Sequence, residues 1–238
     1  MKYKLYQVGG SVRDELMGIP TNDIDFTIVV EPTEYHPSVV FNQLKDILQK
    51  EQHCRIFFTQ TSHYTYRTKT TKDHPKYPNM YVDFTLSVNG DNVGTLEDDL
   101  YRRDFTINAL AKDPETGEII DLVGGVSDIN NGVIRSVRDD HTMLLNDPIR
   151  ILRAYRFCTT KNCKLDRQFL LPTIKNFEVS EFKKVELTRL RDELEKWFKA
   201  NSMGAMMQMI YHLSMDNSEI FNYIFEQIWF RPNIKKVK

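Results

Sequence analysis

The chain has 238 residues, of which 41% are hydrophobic and 27% charged, enough for one large core or a medium domain followed by a smaller one. Its 32 Lys+Arg against 33 Asp+Glu argue against a globally basic nucleic-acid binder and confine any such surface to a local patch. The three cysteines, Cys54, Cys158 and Cys163, are odd in number and lack paired spacing. That argues against a disulfide framework and for a reducing compartment, with Cys158 and Cys163 read as buried thiols rather than zinc ligands.

Tyr3 to Val8 reads as a strand. Ser11 to Met17 reads as a short helix closed by Gly18 and Pro20. Ile24 to Val30, rich in β-branched residues, reads as a strand. A helix is expected over Val39 to Lys50, and further strands over Cys54 to Gln60 and Met80 to Val88. Between those two strands, Ser62 to Asn79 is polar and contains Pro75 and Pro78, so it reads as a mobile loop or loose hairpin. From about Asp139 the character becomes helical. Pro148 suits a first helical turn, and Ile151, Leu152, Ala154, Tyr155 and Phe157 supply an apolar face. Further helices are expected over Phe169 to Ile174, Val185 to Phe198, Met203 to Leu213 and Ile220 to Trp229, with a frayed basic tail at Lys235 to Lys238. The layout is an α/β (α+β) domain over 1–136, then an all-α region over 137–238. The start, MKYKLYQVGG, lacks the apolar run of a signal peptide, and no stretch approaches a membrane span. The expected location is the cytoplasm.

The first chemical pattern is Gly9-Gly10 ahead of a helix, followed by Asp23-Ile24-Asp25. Strand side chains alternate, so Asp23 and Asp25 project together while Ile24 enters the core. Two adjacent carboxylates repel unless a cation lies between them, and oxygen ligands of this kind suit Mg²⁺ with substrate phosphates. The double glycine lets the backbone approach an anion at a helix N-terminus. Together these features point to nucleoside triphosphate chemistry, with Gly9, Gly10 and Arg13 as candidate triphosphate contacts and Asp23 and Asp25 as metal ligands. Arg102 and Arg103 are candidate phosphate clamps. Asp104 could accept a ribose 2′-hydroxyl, a contact that rejects deoxyribose. Asp147 and Arg150, three apart on an expected helix, share a face. Their acceptor and donor groups can read the Watson–Crick edge of cytosine or adenine. Asp147 also has the chemistry of a helix N-cap. Arg153 is a candidate phosphate contact on the same broad face. Arg156 points away from Asp147 and is read as structural or as an RNA contact.

The segment GGSVRDELMGIPTNDIDF resembles the signature of class II tRNA nucleotidyltransferases (CCA-adding enzymes) and the related bacterial poly(A) polymerases, within the polymerase-beta-like nucleotidyltransferases. Glu97 to Ala109 resembles the second family signature, and Asp113-Pro114 through Gly117 with Asp121 to Gly125 and Asp128 the third. Asn146 to Ala154 resembles the fourth and Glu186 to Leu194, loosely, the fifth. The resemblance implies a nucleotidyltransferase head with a mixed sheet, followed by a helical neck and partial body. It implies Mg²⁺ at Asp23 and Asp25, a third catalytic carboxylate at Asp83, sugar and phosphate contacts from Arg103, Asp104 and Asn108, and amino-acid templating by Asp147 and Arg150. The implied reaction adds C and A from CTP and ATP to the 3′ end of tRNA.

Three departures bear on that expectation. Asn146 stands where the family usually has Glu. The stretch from Asp83 to Glu97 is short, a feature of members that add only CC. The chain also ends soon after the helical neck, so tRNA would be held with less surface, by a homo-oligomer or by an accessory partner. Poly(A) addition and an inactive RNA-binding subunit are the competing readings.

Overall fold

The computed structural model describes residues 1–21, 23–72, 74, 77–139, 141–200 and 203–228. They form two compact units, Met1–Ile129 and Asn130–Lys238.

The first unit is built on a seven-stranded mixed sheet. In chain order its elements are β1 (Tyr3–Val8), α1 (Gly10–Leu16), β2 (Asp23–Val30), α2 (Pro37–Glu51), β3 (Ile56–Gln60), β4 (Thr65–Lys69) and β5 (Tyr81–Leu86). A two-stranded ribbon of β6 (Val88–Asn89) and β7 (Asn92–Val93) follows. Then come α3 (Leu96–Tyr101), β8 (Leu110–Lys112), β9 (Ile119–Asp121) and α4 (Gly125–Asn131). The sheet order is β3-β4-β5-β2-β1-β8-β9. β2 and β5 run parallel, and the other pairings are antiparallel.

Strand alternation divides the sheet into two faces. Ile24, Phe26 and Ile28 of β2, Tyr66 of β4, and Val82, Phe84 and Leu86 of β5 pack with Val40, Phe41, Leu44 and Leu48 of α2. The Tyr66 ring stacks on Phe41 at 4.0 Å, and its hydroxyl donates to the Phe41 carbonyl at 2.6 Å. The opposite face carries Asp23, Asp25 and Thr27, then Tyr81, Asp83 and Thr85, then Thr65, Arg67 and Lys69. Each buried aliphatic on the core face contributes about 1.5–3 kcal/mol. A one-residue slip would drive Asp23, Asp25 and Asp83 into that core, so the hydrophobic pattern also fixes the register of the carboxylates.

One expectation for this unit is corrected. Ser62 to Asn79 is not a loop throughout, because β4 lies within it and pairs with both β3 and β5. The outward residues Thr65, Arg67 and Lys69 make the segment look polar, while Tyr66 and Thr68 are buried at 1% exposure. Pro75 lies outside the described residues.

The second unit opens with β10 (Val133–Ile134), which pairs in parallel with β11 (Lys164–Leu165). Its helices are α5 (Thr142–Asn146), α6 (Arg150–Thr160), α7 (Leu170–Lys175), α8 (Val179–Phe182), α9 (Leu187–Ala200), α10 (Met203–Asp216) and α11 (Ser218–Ile228). α6 buries Ile151, Leu152, Ala154, Tyr155, Phe157 and Cys158 and packs against α9 and α10. Polar ties hold the bundle: Trp197 Nε1 donates to Thr159 Oγ1 at 2.9 Å, and the Tyr155 hydroxyl to Asp216 Oδ2 at 2.8 Å. Trp229 and Lys235 to Lys238 lie outside the described residues.

Pro148 does not open a helix that includes Asp147. α6 begins at Arg150, and Asp147 sits in the break after α5 with φ −152° and ψ 86°. A residue preceding proline is driven out of the α region by the pyrrolidine ring. Asp147 and Arg150 therefore share a turn rather than a helix face, closed by the Arg150 N–H donating to the Asp147 carbonyl at 3.1 Å.

Candidate active site

β2 and β5 place Asp25 directly beside Asp83 on neighbouring parallel strands, about 5 Å apart at the backbone. Asp23 lies two residues back on the same face. Burial pushes the Asp25 carboxyl up to about 6; the nearby Arg103 opposes this, and Asp83 and Asp23 add to it. Asp83 has a partner of its own. Arg67, opposite it on β4, donates Nε to Oδ1 at 2.7 Å and Nη2 to Oδ2 at 2.5 Å. Asp25, Asp83, Asp99, Arg102 and Arg103 share a cleft of about 600 Å³, with Gln60, His63 and Tyr64 on its walls.

Gly9 precedes α1 with φ 72°, a conformation that L side chains rarely adopt. A Cβ there would lie 2.6 Å from Arg103 Nη1 and 3.6 Å from Asp25 Oδ2. The missing side chain thus lets the guanidinium and the carboxylate both approach the backbone of the turn. Gly10 opens α1, and a Cβ there would lie 3.4 Å from Arg13 Nη2. Arg13 is 6% exposed. It donates through Nε to Asp14 Oδ1 at 2.8 Å and through Nη1 to Asn108 Oδ1.

α3 is fixed by a capping box in which Thr95 and Asp98 bond each other's backbone N–H. Its buried Asp99 accepts from Arg103 Nε at 3.0 Å, Arg103 Nη2 at 2.7 Å and the Thr27 hydroxyl at 2.9 Å. Arg102 Nη2 reaches the other oxygen of Asp99 at 3.5 Å. Asp104 is 7% exposed, and its Oδ1 accepts from the Phe105 N–H at 2.8 Å and from Asn108 Nδ2 at 2.9 Å. Further on, Asp121 accepts from four backbone N–H groups, Val123 to Val126, at 2.9–3.2 Å. Asp128 accepts from the Thr106 hydroxyl at 2.6 Å. Asp121 thus organises backbone, and neither carboxylate is among the residues that line the cleft.

In the second unit, Asp147 Oδ2 accepts from Arg189 Nη2 at 3.0 Å, while its Oδ1 is buried with no hydrogen-bond partner. Arg150 Nη1 donates to the Met143 carbonyl at 3.3 Å. The Arg153 guanidinium lies over the Phe157 ring at 5.7 Å. Arg156 lies over the same ring at 4.3 Å and donates through Nε to buried Glu193.

Sequence reading missed three residues in these arrangements. Asp99 had a signal, since it precedes Arg103 by one helical turn. Arg67 was hidden in the segment read as a mobile loop or loose hairpin. Arg189 is 42 residues from Asp147, and no local pattern links them.

A mixed sheet that aligns carboxylates on adjacent parallel strands, beside a glycine turn and an arginine clamp, defines a nucleotidyltransferase head. The model of the poly A polymerase head domain matches residues 5–135, and the chain belongs to that family. It is 34% identical over 212 residues to the CCA-adding enzyme of Enterococcus faecalis, covering 87% of this chain and 48% of that protein. Against the CCA-adding enzyme of Buchnera aphidicola it is 32% identical over 233 residues, covering 95% and 51%. Among solved structures, the Thermotoga maritima CCA-adding enzyme complexed with tRNA superposes with a TM-score of 0.71 at 26% identity, over 97% of this chain and 50% of that one. A CCA-adding enzyme in complex with ATP gives 0.73 at 26% identity, over 97% and 51%. The chain spans about half the length of the curated relatives it matches.

Nucleotidyltransferases of this kind generally depend on a divalent metal. Among the described residues no three His, Cys, Asp or Glu side chains form a complete metal cage. Asp23 and Asp25 still fit such an ion, since a hard cation bound by one or two carboxylates takes its remaining ligands from water and phosphate. No helix among the described residues is long and apolar enough to cross a membrane.

Proposed function

We propose that this chain carries the catalytic and base-selecting portion of a tRNA nucleotidyltransferase, which adds C and A, or C alone, to the RNA 3′ end from CTP and ATP. The observation that carries the reading is the in-register pair Asp25 and Asp83, set beside Asp23 and closed by Arg103 over Gly9. Mg²⁺ held by Asp23 and Asp25 would supply charge neutralisation at the triphosphate and activation of the 3′-hydroxyl. Asp83, oriented by Arg67, completes the acidic face. The backbone at Gly9 and Gly10 admits the triphosphate, with Arg102 and Arg103, set by Asp99, on its oxygens. Arg13 supports this turn from beneath by holding Asn108. Asp104 and Asn108, locked to each other, take the ribose side.

In the second unit, Asp147 and Arg150 select the base. The unpartnered Asp147 Oδ1 is suited to accept the exocyclic amine of cytosine or adenine, and uracil offers no donor at that position. Arg189 holds the carboxylate from its other oxygen. Arg153 remains a candidate phosphate contact. A reducing, cytoplasmic setting accords with three cysteines that stand outside any disulfide.

The test is incorporation of single nucleotides, with Mg²⁺, into tRNAs that lack the last three nucleotides, lack only the last, or are complete. Ordered C, C and A addition that then stops is expected, or C addition alone. Long A tails would shift the reading to poly(A) synthesis, and no incorporation on any RNA would refute it.

A further inference from the structure

The acidic face of the sheet extends past its carboxylates to an exposed edge that the proposed reaction does not use. β3 is that edge, and its pairing with β4 shifts between Ile56 and Phe58. The bulge adds one residue, Phe57. Before it, Ile56 pairs with Thr68 on the core side; after it, Phe58 pairs with Arg67 on the acidic side. Phe57 meets Tyr81 edge to face at 6.4 Å, so it stands on the acidic side as well. Two consecutive aromatics thus emerge on one face, which an unbroken strand forbids.

Their exposure is high: 57% for Phe57, 50% for Phe58 and 43% for Tyr81. Lys69 lies over the Tyr81 ring at 5.1 Å. The cross-strand row Phe58, Arg67, Asp83, Asp25 is continuous, so the aromatic edge stands three strands from Asp25. The charge of this segment is one-sided. Residues 52–72 include Arg55, Arg67, Lys69 and Lys72 and no Asp or Glu, in a chain whose net charge is −1. A hydrophobic edge strand is an aggregation liability that proteins normally suppress. Flat rings interleaved with cations, beside a site for phosphate chemistry, match the composition of surfaces that bind single-stranded nucleic acid.

We propose that Phe57, Phe58 and Tyr81 form a stacking platform for unpaired bases of the RNA strand whose 3′ end enters the cleft, with Lys69 beside its phosphates. The site rests on the nucleotidyltransferase reading above but is measurable without catalysis. Stacking on such rings is indifferent to base identity, so the platform holds and aligns the strand and leaves base choice to other groups.

The experiment compares the full chain with the double variant Phe57→Ala/Phe58→Ala and the conservative double variant Phe57→Tyr/Phe58→Tyr. Fluorescence anisotropy reads binding to an RNA hairpin with a short single-stranded 3′ overhang and to its blunt counterpart, without nucleotide. The alanine variant is expected to bind the overhang RNA on the order of 10–100-fold more weakly. Its affinity for the blunt hairpin, its KM for CTP and its thermal midpoint should not change, and the tyrosine variant should retain wild-type binding. Equal weakening on both RNAs, or none, overturns the platform. So does an altered sedimentation coefficient with unaltered RNA affinity, which would assign the patch to a second copy of the chain. A wild type that extends RNA while the alanine variant keeps its RNA affinity leaves the enzymatic reading standing without the platform. Overhang binding that needs the rings, in a wild type that transfers no nucleotide, does the reverse.

Discussion

The sheet face of the first unit and the helix break of the second solve opposite electrostatic problems. On the sheet, Asp23, Asp25 and Asp83 are brought together by strand register, and Arg67 pairs with Asp83. At the break, Asp147 stands alone, bonded at one oxygen by Arg189 and bare at the other. Crowded carboxylates call for a cation, and a single carboxylate with one orphaned oxygen calls for a hydrogen-bond donor. The first arrangement suits phosphate chemistry and the second suits base selection.

Asp25→Asn should sharpen this contrast most. If Asp25 binds the metal as proposed, its loss removes several kcal/mol of transition-state stabilisation, so kcat should fall by about 10³-fold or more. The same change should stabilise the metal-free protein at pH 7. Asp25 holds its proton more tightly folded, up to about 6, than the ordinary carboxylate value of 3.8. Its contribution is therefore favourable at low pH and is lost as pH rises from about 4 to 6. An amide has no such loss, so the variant should gain on the order of 1–3 kcal/mol at pH 7 and nothing near pH 3.5. Thermal melts across that range would check it, and a variant less stable than wild type at pH 7 would contradict the cost assigned to burying the Asp25 charge.

Asp99→Asn comes next. It removes the charge that aligns Arg102 and Arg103 without changing side-chain size. Hydrogen bonds to charged groups are worth about 1.5–3 kcal/mol, so KM for the nucleotide should rise on the order of 10–100-fold, with a smaller change in kcat. At the other region, Pro148→Ala should free Asp147 to enter the α region and extend α6 backwards. Discrimination of CTP over UTP should fall on the order of 10-fold, while turnover of the preferred nucleotide changes less. If discrimination is unchanged, the break is not what sets Asp147 in place.

These two regions also differ in how far their sequences disclose them. The sheet was legible because alternation is a local rule: Asp23, Ile24 and Asp25 announce their faces, and the signature around Gly9 locates the turn. β4 was missed because its outward residues are polar and its inward pair is short, so the burial that makes it a strand comes from α2 and the neighbouring strands. The pair Asp147 and Arg150 is a candidate on chemistry alone, and spacing places it on a helix. The steric effect of Pro148 on the residue before it outweighed the periodicity of the apolar positions that follow. Asp99 was readable from helical spacing. Arg67 and Arg189 were not, because each acts on its partner across strand pairing or helix packing.

Arg189→Met tests the finest distinction. Arg189 is 51% exposed and Asp147 27% exposed at their side chains, so the pair contributes roughly 0.2–1 kcal/mol to folding, and the thermal midpoint should scarcely move. If Arg189 serves to fix the Asp147 carboxylate, its loss should let the side chain rotate and blur the difference between amine-bearing bases and uracil. The expected result is a few-fold fall in the CTP to UTP ratio of kcat/KM, with metal dependence untouched. Arg189→Lys keeps the charge but lacks the planar fork, so it should recover only part of the ratio. A drop in stability without a change in the ratio would make the ion pair a strut of the helical unit. A change in the ratio without a drop in stability would place Arg189 in base selection, acting through Asp147.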